Sequence, residues 1–414
     1  MAYKTVDQLA AAAESLVDRD PDLFLLRQVG KSRLGHPLLL LSAGTGPANV
    51  LVVAGAHANE PIGGMTALRL ADRVAGLHGT SWHFLLCADP DGARHNEGWL
   101  RTPASLTRYY RHFFRPAFAE QPEWLPARGE PPLPETRTIV QLLDELRPVL
   151  QCSLHGSEVG GGWVQLTHDL PTVVAPLQRA AAELDIPLDP GPFDAFHWPS
   201  PAPGVYTMPP PGGIDQFESL PDSTARSTWL YPFRYGTVSA VIEAPQWASD
   251  TTTDPAPHPA PGEALREIGE ALRHDARLIL EQLDAARPHL ERPEPMVPAI
   301  EEFLANAPGL ARDWEPSVLL RETGPRLNTG RVAGLDIAAR RLVMRSAAML
   351  LRTLPAPGTG PAAAATAGVR GTLERLLRQW CARLERDFTP RPVPVEDQAE
   401  YQTRVALALL DQLH

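Results

Sequence analysis

The sequence predicts an α/β domain followed by an all-α region. Over the first 250 residues, short apolar runs alternate with amphipathic stretches, as strands and helices do in an α/β sheet. Beyond that point apolar residues recur at steps of three or four, which is typical of helices, as at Leu265, Ile268, Leu272, Ala276, Ile279 and Leu283. We therefore expect an α/β domain over residues 1–250, a proline-rich linker over 251–262 and a helical accessory domain over 263–414.

Composition narrows the class of protein. Of the 414 residues 43% are hydrophobic, so the chain can bury a sizeable core. The net charge of -11 repels phosphate backbones, which argues against a nucleic-acid partner. The first 20 residues carry acidic side chains and no continuous apolar core, so we expect neither a signal peptide nor a membrane span. Three widely spaced cysteines argue against a disulfide framework and predict a cytoplasmic protein.

Polar residues follow four of the predicted strands directly. The apolar runs are residues 50–56, 82–87, 149–154 and 238–242, and the polar groups after them are His57, the segment 89–92, His155 and Glu243. In open α/β sheets, ligands bind beyond the carboxyl ends of the strands. The sequence therefore predicts one shared cleft that contains all four groups.

Two of these polar residues, His57 and His155, form a candidate metal site together with Glu60. His57 and Glu60 lie three positions apart in a turn after a strand, and His155 follows much later in the chain. A close pair of ligands and a distant third is a common layout for catalytic zinc, with the fourth position left to water. An isolated H-x-x-E pair also arises by chance as a solvated histidine and an ion-paired glutamate, but the strand-end context favours the metal. We expect one Zn²⁺ per chain, because calcium and magnesium prefer oxygen ligands.

Six short motifs occur in a fixed order between about Ala2 and Trp247. They are GKSRLGHP (30–37), GAHANEP (55–61), DPDG (89–92), PET (134–136), LHG (154–156) and IEAP (242–245). In these motifs the chain resembles the zinc carboxypeptidases (M14 metallopeptidases), a group whose relatives include amidohydrolases of the succinylglutamate desuccinylase and aspartoacylase type. The resemblance implies a three-layer α/β/α sandwich around a mixed eight-stranded sheet. It also implies His57, Glu60 and His155 as zinc ligands and Glu243 as the catalytic carboxylate.

The same resemblance implies two functional arginines. One follows the DPDG motif and polarises the scissile carbonyl; Arg101 is its counterpart here, with Arg94 as a rival. The other belongs to an Asn-Arg pair that binds the substrate carboxylate, and Arg115 stands at that place without the asparagine. Arg111 can share this second role. No acidic residue occurs in the segment 113–116, so we expect Arg115 to be free to bind an anionic substrate group.

The family's mobile tyrosine corresponds to Tyr231 or Tyr235 in this chain. The activity implied is hydrolysis of the C-terminal amide bond of a peptide or peptide-like substrate, with a metal-activated water and Glu243 as general base. Two alternatives stay open: an amidohydrolase or deacylase of N-acyl amino acids, and a non-catalytic zinc-binding scaffold, against which the retention of Glu243 argues.

The helical region after residue 262 matches none of the quoted motifs. It can cap the cleft, bind a partner or form a homo-oligomer through the C-terminal helices, and a stabilising accessory role is the simplest interpretation. The sequence thus predicts a peptide or acyl-amino-acid substrate as the main partner, without nucleic acid and without a membrane.

Overall fold

The computed structural model describes residues 2–413, except 197, 210–225, 291–293, 324–326 and 359. Its strands are β1 (Phe24–Lys31), β2 (Pro37–Ala43), β3 (Thr45–Ala54), β4 (His78–Leu85), β5 (Leu150–Gly160), β6 (Trp163–Leu166), β7 (Val205–Thr207), β8 (Val238–Ala248) and β9 (Arg391–Pro392). Its α-helices are α1 (Val6–Arg19), α2 (Ile62–Val74), α3 (Pro90–Asn96), α4 (Leu106–Arg111), α5 (Pro134–Leu146), α6 (Val174–Glu183), α7 (Pro261–Ala286), α8 (Val297–Asp313), α9 (Pro316–Thr323), α10 (Thr329–Thr353), α11 (Pro361–Phe388) and α12 (Val395–Leu410).

One mixed sheet organises the first part of the chain. Eight strands follow the order β1-β2-β4-β3-β5-β8-β6-β7, and the two-residue strand β9 pairs with β8. The pairs β3–β4, β3–β5, β5–β8 and β6–β7 are parallel, whereas the pairs β1–β2, β2–β4 and β6–β8 are antiparallel. The expected mixed eight-stranded sheet is therefore confirmed, with the short ninth strand as an addition.

Helices cover both faces of this sheet. Val50 and Val52 of β3 pack in a cluster with Leu70 of α2, whereas Leu51 and Val53 pack in a different cluster with helix α5. Successive residues of a strand point to opposite faces, so the continuous apolar run of β3 contributes side chains to two hydrophobic cores, one on each face of the sheet. This arrangement is the expected three-layer α/β/α sandwich.

The helical C-terminal region is also present, and it packs against the sheet domain at two places. Helices α7, α8, α10 and α11 share one hydrophobic cluster, which continues into Trp99, Tyr109 and Phe113 of the first part. Helix α12 instead lies against α2, α6 and β8, and its Tyr401 and Val405 belong to the core of the sheet. The division into domains at residues 251–262 stays a prediction, and apolar packing crosses it.

In the described part of the chain, every helix is too short or too polar to cross a lipid bilayer. Cys87, Cys152 and Cys381 are free thiols, and Cys152 and Cys381 are buried. Burial raises the pKa of Cys152 to about 12, so this thiol stays protonated and packs as a small apolar side chain.

Candidate metal centre

The candidate centre lies at the carboxyl end of β3, beside the middle of β5 and β8. The prediction that His155 and Glu243 directly follow strands is wrong, because β5 and β8 stay paired for five residues beyond them. Ala54 of β3 is in register with Leu154 of β5, and His155 of β5 is in register with Glu243 of β8. After β3 the chain turns at Gly55, whose φ of 62° is in the left-handed region and whose Cβ, if present, would lie 3.0 Å from Cys87 Sγ. A glycine is therefore required here, and the turn it makes leads directly to His57.

Two imidazoles and one carboxylate converge at this edge. Glu60 Oε1 lies 3.0 Å from His57 Nδ1, Glu60 Oε2 lies 2.9 Å from His155 Nδ1, and the two Nδ1 atoms are 3.0 Å apart. All three residues are buried. In a tetrahedral zinc site with bonds of about 2.0–2.2 Å, ligand atoms are separated by about 3.3–3.6 Å. The donor types and their spacing therefore fit a zinc ion after only a small outward adjustment.

A second carboxylate, Glu123, lies behind the two imidazoles. Its Oε1 is 3.0 Å from His155 Nε2 and its Oε2 is 3.3 Å from His57 Nε2. Ser153 Oγ and Trp229 Nε1 also donate hydrogen bonds to Oε1, at 2.6 and 2.8 Å. His57, Glu123 and His155 offer ligand atoms that all lie within 4.8 Å of one another, so they form a possible metal-binding triad.

Glu123 was not among the residues predicted from the sequence. It lies in a turn between strands, where the backbone of Thr228 donates to the Glu123 carbonyl at 2.8 Å and the adjacent Trp124 pairs with Ser227. An acidic residue in a segment without apolar periodicity gives no signal of burial. Its position depends on contacts with a segment about a hundred residues later in the chain.

Charge coupling within the cluster is strong. Although burial opposes it, the neighbouring His155 lowers the pKa of Glu123 to about 2. Against the effect of burial, the imidazoles of His57 and His155 hold the pKa of Glu60 well below its ordinary value. The pKa of His155 is raised well above its ordinary value in spite of burial, chiefly by Glu123, whereas burial and Arg115 lower the pKa of His57. The pocket is thus built to stabilise positive charge between two carboxylates.

Glu243 stands next to this cluster. Register partners on adjacent parallel strands point to the same face, so the Glu243 side chain lies on the face that carries His155. Burial raises the pKa of Glu243 to about 8, and the negative charge of Glu60 adds to the shift. A carboxyl group that titrates near neutrality is suited to accept and return a proton.

Arg115 is the arginine that reaches the cluster. Its Nη1 lies 3.2 Å from Glu60 Oε1. Asn96 at the end of α3 holds Phe114, the residue before Arg115, in place. Its side-chain oxygen accepts from Phe114 N at 3.0 Å, and its side-chain nitrogen donates to Ala58 O at 2.9 Å. The expectation that Arg115 has no acidic partner is wrong, because Arg115 pairs with Glu60. This partner is 55 residues away in the chain, so it lies outside the segment 113–116 on which the expectation was based.

The other predicted arginines and tyrosines lie elsewhere. Arg101 and Arg111 are exposed, and Arg94 pairs with Asp7 at 2.5 Å. The hydroxyls of Tyr231 and Tyr235 both donate to Asp144, at 2.8 and 2.6 Å. Within the described ranges, no hydrogen bond or ion pair joins any of these five side chains to the histidine–glutamate cluster. Their proposed roles stay predictions.

Helix α10 brings a charged side chain from the C-terminal region to the same neighbourhood. Arg345 Nε lies 2.8 Å from Glu158 Oε1, and both side chains are almost fully buried. The hydroxyls of Tyr109 and Tyr110 donate to Glu158 at 2.6 and 2.9 Å, and Asn59 beside Glu60 donates to Tyr109 at 3.2 Å. The sequence signals of helix α10 predicted a helix and not this contact.

A mixed sheet with a buried histidine–glutamate cluster beside its parallel central strands defines a candidate metalloenzyme. The model of the zinc carboxypeptidase family, Peptidase M14, matches residues 9–160. This range contains His57, Glu60, Arg115, Glu123 and His155, and it excludes Glu243 and the helical region. The resemblance that the sequence motifs indicate is thereby confirmed.

Several solved structures are similar to the chain at low identity. Bovine thrombin-activatable fibrinolysis inhibitor in complex with tick carboxypeptidase inhibitor is 14% identical with a TM-score of 0.38, over 58% of this chain and 86% of that one. Carboxypeptidase A from Helicoverpa armigera is 14% identical with a TM-score of 0.39, over 59% and 65%. A metallo-carboxypeptidase from Burkholderia cenocepacia is 15% identical with a TM-score of 0.35, over 59% and 60%. No curated protein matches the chain.

Proposed function

We propose that the chain is a zinc metallocarboxypeptidase, which hydrolyses the C-terminal amide bond of a peptide or peptide-like substrate. The observation that carries this proposal is the convergence of His57 Nδ1, His155 Nδ1 and the Glu60 carboxylate within 3.1 Å of one another. These atoms are buried beyond the carboxyl end of β3 and within β5, beside the register position of Glu243. That combination supplies three metal ligands and a base on rigid elements.

Two carboxylates compete for the role of third ligand, and we assign it to Glu60. Both Nδ1 atoms face Glu60, which also meets Arg115 on the cleft side. Glu123 is completely buried and already accepts hydrogen bonds from Ser153 and Trp229. Metal-bound histidines commonly donate their second ring N–H to a carboxylate, which fixes the tautomer and the ring orientation. Glu123 fits this supporting role for His155, and its second carboxylate oxygen lies 3.3 Å from His57 Nε2.

A zinc ion held by His57, Glu60 and His155 would lower the pKa of a water molecule toward about 7 and polarise a carbonyl group. Glu243 then accepts the proton of the attacking water and returns it to the leaving amine. Arg115, anchored beside Glu60, donates hydrogen bonds to the oxygen on which negative charge develops. In this scheme Arg115 takes the role that the sequence resemblance implied for Arg101.

The test combines metal analysis with an activity panel. Protein purified without chelator should contain about one zinc per chain, and it should release the C-terminal residue from N-blocked peptides. N-acyl amino acids in the same panel distinguish carboxypeptidase from deacylase activity. Zinc-reconstituted protein that hydrolyses neither class would refute the hydrolase assignment.

We also propose the reducing cytoplasm as the working compartment, because the three thiols are unpaired and two of them are buried. Because the protein has a net charge of -11, which repels a phosphate backbone, we expect the substrate and not a nucleic acid to be its partner. Size-exclusion chromatography with light scattering would test self-association through the C-terminal helices.

A further inference from the structure

Three arginines anchor helix α10 beside the cleft. Near the start of the helix, Arg331 donates to the carbonyl of Phe196 and stacks over its ring at 4.0 Å. Further along, Arg345 pairs with Glu158, three residues after His155. Near the end, Arg352 donates to the carbonyls of Phe113 and His95, at 2.7 and 3.0 Å. These contacts fix α10 along the segments that flank the metal cluster.

Arg341 belongs to helix α10. It precedes Arg345 by four residues, so the two side chains are neighbours on one side of the helix. Among the residues that the structure describes, no hydrogen bond or ion pair joins Arg341 to another side chain. The adjacent Arg340 differs, because it pairs with Asp336 and Asp387 at 2.8 and 2.7 Å.

Electrostatic effects on three side chains of the cleft give a second indication of where Arg341 lies. Burial produces the largest effect on the pKa of Glu243, of Glu158 and of Arg115, and the charge of Arg341 contributes at all three. Its guanidinium therefore lies within electrostatic reach of the proposed base and of the arginine beside the metal site. The charge of the exposed Asp194 also acts on Glu243 and Arg115.

We propose that Arg341 binds the carboxylate of the substrate, so that the helical region supplies the anion-recognition residue of the active site. The inference rests on the proposed function for the place where the substrate lies. Of the three arginines near the cleft, Arg115 already meets Glu60 and Arg345 already meets Glu158. Only Arg341 keeps its planar set of N–H donors without an acidic partner among the described residues. A guanidinium in that state binds a carboxylate through two parallel hydrogen bonds.

The experiment measures binding and requires no turnover. Acetyl-Ala-Ala-Phe and its C-terminal amide are titrated by calorimetry into zinc-loaded protein that carries Glu243→Gln. We expect the free acid to bind more tightly than the amide by about tenfold or more, the scale of a charge-assisted bond. Adding Arg341→Gln should abolish this difference, and Arg341→Lys should retain part of it.

Arg340→Gln in the same background is the matched control, because it removes the same charge one residue away and should keep the tenfold difference. Any one of three results would overturn the proposal. These are equal affinities for acid and amide in the protein that retains Arg341, no binding of either ligand, and full discrimination after Arg341→Gln. If Arg341→Gln fails to fold by circular dichroism, Arg341→Lys decides, and full discrimination with lysine overturns the bidentate role.

Failure of the proposed function is distinguishable from failure of this inference. Discrimination that depends on Arg341, in a protein whose wild-type form hydrolyses no peptide, supports the binding site and refutes the hydrolase. Hydrolysis of acid and amide at equal rates, unaffected by Arg341→Gln, supports the hydrolase and refutes the site.

Discussion

His155 on β5 and Glu243 on β8 are register partners across two parallel strands, and the backbone hydrogen bonds of the sheet hold them side by side. One residue is a candidate metal ligand and the other is the candidate base. Their relative position therefore depends on the register of the central sheet and not on a flexible loop. A shift of one residue would turn Glu243 to the opposite face and separate the two groups.

Glu243→Gln should lower turnover by about 10² to 10⁴ fold, because the amide keeps the size of the side chain but cannot act as a base. Zinc content by mass spectrometry and the thermal midpoint should stay near the wild-type values, since Glu243 is not assigned as a ligand. Near-full activity of the variant, or joint loss of zinc and fold, would show that the base lies elsewhere.

Substitutions of Glu60, Glu123 and His155 should separate the metal ligands from the supporting carboxylate. His155→Ala and Glu60→Gln should release zinc, because the remaining ligands hold it poorly. Glu123→Gln should weaken zinc affinity by only about 10 to 100 fold, the usual effect of losing a carboxylate behind a histidine ligand. The measurement is competition with a chromophoric chelator. Retention of zinc by Glu60→Gln together with its loss from Glu123→Gln would reverse the assignment of the two glutamates.

Arg115→Gln should reduce kcat by about 10² to 10³ fold while zinc stays bound, because a donor aimed at the developing oxyanion acts mainly in the transition state. The exposed Arg101 supplies the matched comparison, and Arg101→Gln should change kcat by less than about threefold. Steady-state kinetics on a blocked peptide measures both. A large effect at Arg101 with none at Arg115 would restore the assignment that sequence resemblance suggests.

Arg345→Met should destabilise the protein by about 3 to 5 kcal/mol, since it leaves the buried carboxylate of Glu158 without its cation. Adding Glu158→Gln should recover much of this loss, because it removes the unpaired charge, and the glutamine can accept from one of Tyr109 and Tyr110 and donate to the hydroxyl oxygen of the other. Urea unfolding of both variants gives the free energies. Equal stability of wild type and Arg345→Met would mean that this ion pair does not hold α10 to the sheet domain.

Local patterns in the sequence were sufficient for the fold class and for half of the site. Apolar runs of strand length and the three-to-four periodicity after residue 262 depend only on neighbouring residues, and they predicted the sheet and the helices. His57 and Glu60 are close in sequence and follow β3, and the apolar run before His155 indicated a neighbouring strand. The strand-end rule brought the three together, although β5 continues five residues beyond His155. The rule also predicted Glu243 near this site, but the register of β8 against β5, in the middle of both strands, is what brings it beside His155.

Contacts between distant segments decided the rest. Glu123 lies 32 residues before His155, and Arg345 lies 187 residues after Glu158. Neither pair leaves a periodic or spacing signal, because both depend on how loops and helices pack after the sheet has formed. The partner of Arg115 and the packing of α12 on the sheet are of the same kind. The sequence by itself determined the sheet, its helices and the local metal turn, whereas tertiary packing decided which buried charges meet, since those pairings exist only once the desolvated surfaces come together.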